Sequence, residues 1–247
     1  MKKFKKSQKA ISLILTLLVL SSILTGTILV GETIIRHSQV VQGTEISEKA
    51  FFAAETALEK ACYKVFKNYD DISLFSLSGT MSDTESDYSA TVSADTNCPT
   101  PGAGCADGSI TNGNPWTITL EANESFQLDI DIDGAVYPAS IEIRRLGSTG
   151  TDIIVYECTT TEGTPRVCSS TVSQSFSITF PYTFTISDYA TKYYKLRINN
   201  LGDSPESYIL TPTGDLPIGI EINANGTYSG YERKVKSNVP KWQKYGI

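Results

Sequence analysis

Twenty consecutive uncharged residues, Ile11–Val30, leave this chain few places to be. As an α-helix rising 1.5 Å per residue the run covers about 30 Å, the thickness of a bilayer's hydrocarbon core. Five lysines (Lys2, Lys3, Lys5, Lys6 and Lys9) stand before it, and basic residues flanking an apolar helix stay on the cytoplasmic side. The run therefore reads as a single-pass helix, with everything beyond Arg36 outside the cytoplasm. A secretory signal peptide would have a shorter apolar region, about 7–15 residues, closed by a small-x-small cleavage site. Here Gly31-Glu32-Thr33-Ile34-Ile35-Arg36-His37 follows instead. A plain signal anchor remains an open alternative.

Helical patterning continues past the membrane. Ala50, Ala54, Ala57, Leu58, Ala61 and Val65 recur at helical spacing and form one apolar stripe, and no proline occurs before Pro99. Continuous from Ile11 to about Asn68, such a helix is roughly 87 Å long. No small head covers that length, so its first half must meet lipid or other helices. Gly26, Gly31 and Gly43 are possible loosening points, because glycine costs ~1 kcal/mol relative to alanine in a helix. Glu32 and Arg36 have the i, i+4 spacing of a helix-surface pair.

After Asn68 the pattern switches to alternation. Tyr88–Ser93 reads as a strand, followed by Trp116–Leu120, Ser125–Ile132, Ala139–Arg145, Asp152–Cys158, Gln174–Thr179, Tyr193–Asn199 and Ser207–Thr211. The seven strands from Trp116 onward, evenly spaced with turn residues between them, predict an antiparallel β-sandwich. Ile218–Asn223 and Tyr228–Val239 read as a hairpin turning at Ala224-Asn225-Gly226-Thr227, since Asn-Gly supplies the positive φ angles of a tight turn. The fold class is α+β.

Composition narrows the chemistry. The 247 residues carry 21 basic and 27 acidic side chains, and past the first ten residues the balance is 16 against 27. An acidic body lacks the lysine and arginine clusters that phosphate contacts require, so nucleic acid is not an expected partner. The single histidine, His37, lies at the membrane edge, so the outer region has no Ser-His or Cys-His pair. With no phosphate loop or dinucleotide fingerprint, the expectation is a non-enzyme without a cofactor.

Five cysteines lie where export lets disulfides persist. Cys98 and Cys105 bracket a Pro/Gly loop, and Cys158 and Cys168 bracket a polar loop between strand-like runs. Both spacings suit local bridges, although sequence alone does not give connectivity. Cys62, on the helix, is left over as a small apolar residue. The spacings and the lone histidine speak against zinc. Asp129, Asp131 and Asp133 copy the start of an EF-hand loop, but its twelfth position is Ser140, where a bidentate glutamate is needed. The favoured reading is a strand with aspartates on its wet face and isoleucines inward. A calcium site of another kind at these three residues is the sharper alternative.

The leader Lys5-Lys6-Ser7-Gln8-Lys9-Ala10 followed by Ile11-Ser12-Leu13-Ile14-Leu15 resembles the type IV pilin superfamily. The resemblance implies cleavage by a prepilin peptidase between Ala10 and Ile11 and N-methylation of Ile11. Two positions depart from the family pattern. Ala10 stands where glycine is preferred, and Leu15 stands where the fifth mature residue is usually glutamate. Ala50-Phe51-Phe52-Ala53-Ala54-Glu55-Thr56-Ala57-Leu58 is similar to the A-F-x-A-A-E-x-A-L stretch of PilX-type minor pilins, which, like tip pseudopilins, also lack that glutamate. Gly226–Val235 resembles the terminal strand pair of minor pilins. The resemblance covers 1–68 and 218–240. Between them, Tyr193–Asn199 and Tyr208-Ile209-Leu210 resemble closing strands of pre-peptidase C-terminal-type sandwiches, which implies a binding or spacer module.

The implied organisation is a leader at 1–10 and a pilin helix at 11–68, membrane-spanning over 11–35. A head strand and disulfide loop follow at 69–111, then an inserted β-sandwich at 112–213 and a hairpin and tail at 214–247. The implied function is a minor or tip subunit of a pilus-type filament, primed for assembly or adhesion. Its implied partners are other pilin subunits through the helix, the prepilin peptidase, an inner-membrane assembly platform and membrane lipid. A membrane-anchored binding protein and a type II secretion pseudopilin are the alternatives.

Overall fold

The computed structural model describes residues 2–67, 72–99, 105–106, 108–147, 151–159, 167–174, 180–186 and 192–246, with the side chains of 2–14, 72, 133, 151–152, 159, 167–174 and 192 left aside. One helix, α1 (Lys2–Lys67), comes first. It starts nine residues before the predicted Ile11 and runs on without a break at Gly26, Gly31 or Gly43, about 99 Å in all. Its last turn carries Lys64 and Lys67, cations that favour the negative end of the helix dipole.

The rest is strand. β1 (Ile72–Ser73), β2 (Phe75–Thr80), β3 (Ser86–Asp95), β4 (Trp116–Leu120), β5 (Glu124–Ile130), β6 (Ile132–Asp133) and β7 (Ser140–Arg145) form the first part. β8 (Thr151–Thr159), β9 (Val167–Gln174), β10 (Tyr182–Thr185), β11 (Lys192–Asn200), β12 (Glu206–Pro212), β13 (Gly219–Tyr228), β14 (Tyr231–Pro240) and β15 (Trp242–Gly246) complete the described chain.

Three antiparallel sheets result, with β1 and β6 joined in a short parallel pair. The lower sheet has the order β14-β13-β3-β2 and lies against α1. Its central strands pair over their full length, from Gly219↔Asp95 to Tyr228↔Ser86. Residues 220, 222 and 224 of β13 face inward as Ile, Ile and Ala, paired with Ala94, Val92 and Ala90. The opposite face shows Ser89, Thr91, Asn223 and Asn225, the polar-out half of a period-two pattern.

Two upper sheets follow, with the orders β10-β7-β12-β4 and β15-β5-β11-β8-β9. Trp116, Ile118 and Leu120 of β4, Phe126, Leu128 and Ile130 of β5, and Leu196 and Ile198 of β11 are all at most 3% exposed. Trp116 meets the Phe126 ring edge-on at 5.2 Å, and Phe184 of β10 meets Tyr194 of β11 at 5.4 Å. The inner faces of the two sheets thus share one apolar core, which also reaches the alanines of α1.

Four sequence expectations need correction. The hairpin between β13 and β14 turns at Ser229-Gly230, with φ of 48° and 82°, not at Asn225-Gly226. A two-residue turn of this kind needs positive φ at both positions, and Ser-Gly tolerates it. Asn225 and Gly226 continue β13, where a different constraint, described below, selects glycine. The predicted strand Ser125–Ile132 breaks at Asp131 into β5 and β6. The tail does not stay with the hairpin: β15 crosses into an upper sheet and pairs with β5, from Trp242↔Leu128 to Gly246↔Glu124. β1, β2, β10 and, apart from Gln174, β9 were not foreseen. Residues 175–179 of the predicted Gln174–Thr179 strand lie outside the described residues.

Candidate functional site

The most unusual surface of the molecule is the first half of α1. Leu17, Leu18, Val19 and Leu20 follow one another around the helix and are 49–70% exposed, so no side of the helix is covered. The exposed apolar series runs from Leu15 to Val41, about 40 Å along the axis. It is the helix in the described chain that is long and apolar enough to cross a membrane. Its polar residues are satisfied locally. The hydroxyls of Ser21, Ser22, Thr25, Thr27 and Thr33 donate to carbonyls three or four residues back, at 2.8–2.9 Å. In hydrocarbon, where water cannot serve, such back-bonding removes the penalty of a bare hydroxyl. Glu32 and Arg36 pair at 2.5 Å, both exposed. Ala10 and Ile11 lie inside the continuous helix.

The second half of α1 is held by the lower sheet. Ala50, Ala53, Ala54, Ala57 and Ala61 are fully buried and Val65 nearly so. Small side chains let the helix backbone approach the sheet, and Gly226 completes that approach. A Cβ there would run into the Ala50 carbonyl oxygen and the Ala54 amide nitrogen. Three lysines clamp the flanks. Lys49 lies 4.8 Å from the Tyr228 ring centre, Lys60 4.2 Å from Tyr88 and Lys64 4.0 Å from Phe75. Lys49 also donates to the Tyr228 hydroxyl at 3.2 Å, and this bond, with help from Glu45, raises the Lys49 pKa. Arg233 Nε, on edge strand β14, donates to Ser47 Oγ at 2.9 Å. The alanine stripe was legible in sequence; the lysine–aromatic pairs were not, because their partners lie up to 179 residues apart.

Cys98 and Cys105 form a disulfide with Cα atoms 6.0 Å apart. Cys158 is likewise disulfide-bonded, and its register partner across β8–β9 is Cys168. Cys62 is a free thiol, half-buried, and burial followed by the charge of Glu59 raises its pKa.

The aspartates do not sit as a wet row. Asp131 is buried and pairs with Lys241 Nζ at 3.0 Å. Asp129 is half-buried, with Oδ1 accepting from Gln127 Nε2 at 2.8 Å. Burial raises its carboxyl pKa, the charge of Asp131 adds to this, and Lys195 and Lys241 oppose it. Asp133 is in β6, and its side chain lies outside the described ones. Among the described residues, no three His, Cys, Asp or Glu side chains gather as a metal site. The isoleucines are inward as expected, with Ile130 and Ile132 at 1% and 3% exposure. The wet-face expectation fails at Asp131 because the chain kinks there between β5 and β6 and turns its carboxyl towards Lys241.

No protein-family model matches the chain, and no curated protein resembles it. Among solved structures, one described as manganese lipoxygenase of Gaeumannomyces graminis with partial zonadhesin of Komagataella pastoris aligns at 10% identity and a TM-score of 0.12. A DUF4466 family protein from Parabacteroides merdae aligns at 10% identity and a TM-score of 0.11. Each alignment covers 72% of this chain, which spans 50% and 45% of the two structures' lengths. At those TM-scores neither alignment defines a shared fold.

Proposed function

We propose that this protein is a type IV pilin-like subunit of the minor or tip class, held in the membrane by α1 and then drawn into a pilus-type filament. The observation that carries the proposal is the division of α1 into two halves. The second half is docked by alanines and Gly226 against a four-stranded sheet. The first half leaves apolar side chains uncovered all round from Leu15 to Val30, about 24 Å, and exposed apolar residues continue among polar ones to Val41. A helix apolar on every side is stable only in lipid or among other helices. One surface serves both stages: in the bilayer it meets acyl chains, and in a filament it meets the same half-helix of neighbouring subunits. Association there rests on close packing rather than on water release.

Leu15 gives the minor or tip assignment its support, since a leucine cannot pair with a neighbour's terminal amine as the usual glutamate would. The lysines of the leader favour a cytoplasmic N-terminus. The Cys98–Cys105 disulfide fits a head outside the cytoplasm. The two upper sheets are read as an inserted antiparallel sandwich, displayed outward for adhesion or spacing.

The test is to express the full chain with a prepilin peptidase and measure the mature N-terminus by mass spectrometry. Ile11 as an N-methylated first residue is the expected result. A retained Met1, or cleavage near residue 36, removes the pilin reading. Sheared surface filaments containing the chain then separate a pilus subunit from an anchored binding protein, which stays with the membrane.

A further inference from the structure

β11 alternates, with Leu196 and Ile198 in the core and Lys195 and Arg197 half-buried on the outer face of the sheet β15-β5-β11-β8. The two cations are neighbours there, roughly 7 Å apart along the strand. The register sets Asp129 of β5 and Tyr156 of β8 on either side of Lys195, and Gln127 of β5 beside Arg197. From the edge strand β15, Tyr245 leans over the same spot. Its ring centre lies 4.6 Å from the Arg197 guanidinium, and its hydroxyl donates to Gln127 Oε1 at 3.3 Å. Burial raises the Tyr245 pKa, Arg197 opposes the rise, and Tyr156 and Asp129 add to it, so these groups share one neighbourhood.

Arg144, Lys234, Lys236 and Lys241 each pair with a carboxylate; among the described residues, Lys195 and Arg197 do not. Asp129, the register partner of Lys195, accepts instead from Gln127, and burial raises its pKa against the pull of Lys195. Asp131 is engaged by Lys241. Arg197 Nε donates to Asn199 Oδ1 at 3.0 Å, which orients the guanidinium and leaves its Nη groups without an acceptor among the described residues. Two cations left unpaired on a body with 16 basic against 27 acidic residues past the first ten form a local anion site. An oriented guanidinium suits a carboxylate, which it can grip with two parallel hydrogen bonds. The surroundings narrow the anion further. Tyrosine offers an apolar ring and a polar tip, and a carboxamide both donates and accepts. A sugar presents the complement, apolar C–H faces edged by hydroxyls.

We propose that this face binds an acidic polysaccharide, with Arg197 and Lys195 holding carboxylates on its sugars while Gln127, Tyr156 and Tyr245 meet the rings and hydroxyls. The inference rests on the adhesion reading of the upper sheets and supplies that reading with a ligand class. It is measured on the purified chain, so a failure to bind leaves cleavage at Ala10–Ile11 and filament entry unaffected, and the reverse.

The experiment is isothermal titration of the detergent-solubilised full chain with a galacturonate hexamer at low ionic strength. Saturable binding that weakens with added salt is expected, with none for an uncharged glucose hexamer. No binding of the galacturonate, or equal binding of the glucose hexamer, overturns the proposal. Equal or tighter binding of a glutamate hexapeptide shows a surface that reads charge alone, and tighter binding of a sulfated hexasaccharide shows the wrong anion; either overturns it too. Arg197→Ala and Lys195→Gln are each expected to weaken binding by about tenfold or more, and Tyr156→Ala by about threefold, with strand signal by circular dichroism retained. Lys195→Gln removes no described hydrogen bond of the fold, so it decides even where Arg197→Ala fails to fold. Undiminished binding in Lys195→Gln places the anion elsewhere and overturns the proposal, and undiminished binding in Tyr156→Ala overturns the assignment to a sugar.

Discussion

Gly226 is the residue where the whole helix–sheet contact is most sharply specified. Glycine inside a strand normally weakens it, since there is no side chain to pack. Here the space a Cβ would need is already filled by the backbone of α1 at Ala50 and Ala54. Neither atom belongs to a side chain that can swing away, so relief requires the helix and sheet to part. Gly226→Ala is expected to destabilise the chain by about 1–3 kcal/mol, the range for an over-packed contact. The check is the urea midpoint of the detergent-solubilised full chain, and an unchanged midpoint would show that α1 is not seated as described. In the sequence the same residue pointed to a turn, because Asn-Gly favours positive φ. The reason for glycine was close approach, and that depends on a helix 172 positions earlier, at Ala54, which no local pattern reveals.

At the scale of elements, two carboxylates pin the connections of the lower sheet. Asp83, in the turn between β2 and β3, accepts from the Ser86 hydroxyl at 2.6 Å and from the Ser86 N–H at 3.0 Å, and these bonds lower its pKa from the ordinary 3.8. Glu221 of β13 pairs with Lys236 of β14 at 2.5 Å, and that bond, with one from Asn223, lowers its pKa from 4.5. A carboxyl with a lower pKa folded than unfolded adds stability above its unfolded value and loses it as pH falls through the folded one. The melting temperature of the parent is therefore expected to fall as pH drops below 4.5, and less steeply in a Glu221→Gln, Asp83→Asn double variant. Parallel acid limbs in the two proteins would remove this account. Asp83 is exposed and Lys236, the partner of Glu221, is half exposed to solvent, so the difference between the limbs is expected to be small.

Element boundaries were largely legible where alternation was clean: β4 matches the predicted Trp116–Leu120 in full, and β11 and β12 extend the predicted runs by a residue at each end. Legibility failed where burial was decided by distant partners. Asp131 looks like a solvated aspartate in any window of its own strand, and only the arrival of Lys241 from 110 residues further on buries it. The long helix was legible from Ile11 onward, since its two surfaces differ in kind: uncharged and mostly apolar up to Val30, and apolar along one alanine stripe after Ala50.

For the whole molecule, the decisive feature is that the last strand belongs to the upper sheets. Trp242 packs edge-on to Trp116 at 5.4 Å and stacks near Phe126 at 6.4 Å. Lys244 Nζ reaches the Thr119 carbonyl, and Arg197 lies 4.6 Å from the Tyr245 ring centre. Trp242→Ala is expected to cost up to about 3 kcal/mol, somewhat less than a fully buried tryptophan because the ring is only partly covered. Chemical denaturation followed by near-ultraviolet circular dichroism reads this loss, and a midpoint equal to the parent's would show that β15 contributes nothing to the upper core.

The same strand sets a timetable. β15 is made after β5 and after every other described strand it packs with. Until residues 242–246 have been made, β5 lacks its outer neighbour and the Trp116–Phe126 corner lacks its cover. Half-made upper sheets therefore wait, with an open edge of the kind that invites wrong pairing. Completion of the upper core is tied to the arrival of β15, so a chain stalled before residue 242 is left unfinished and exposed to proteolysis.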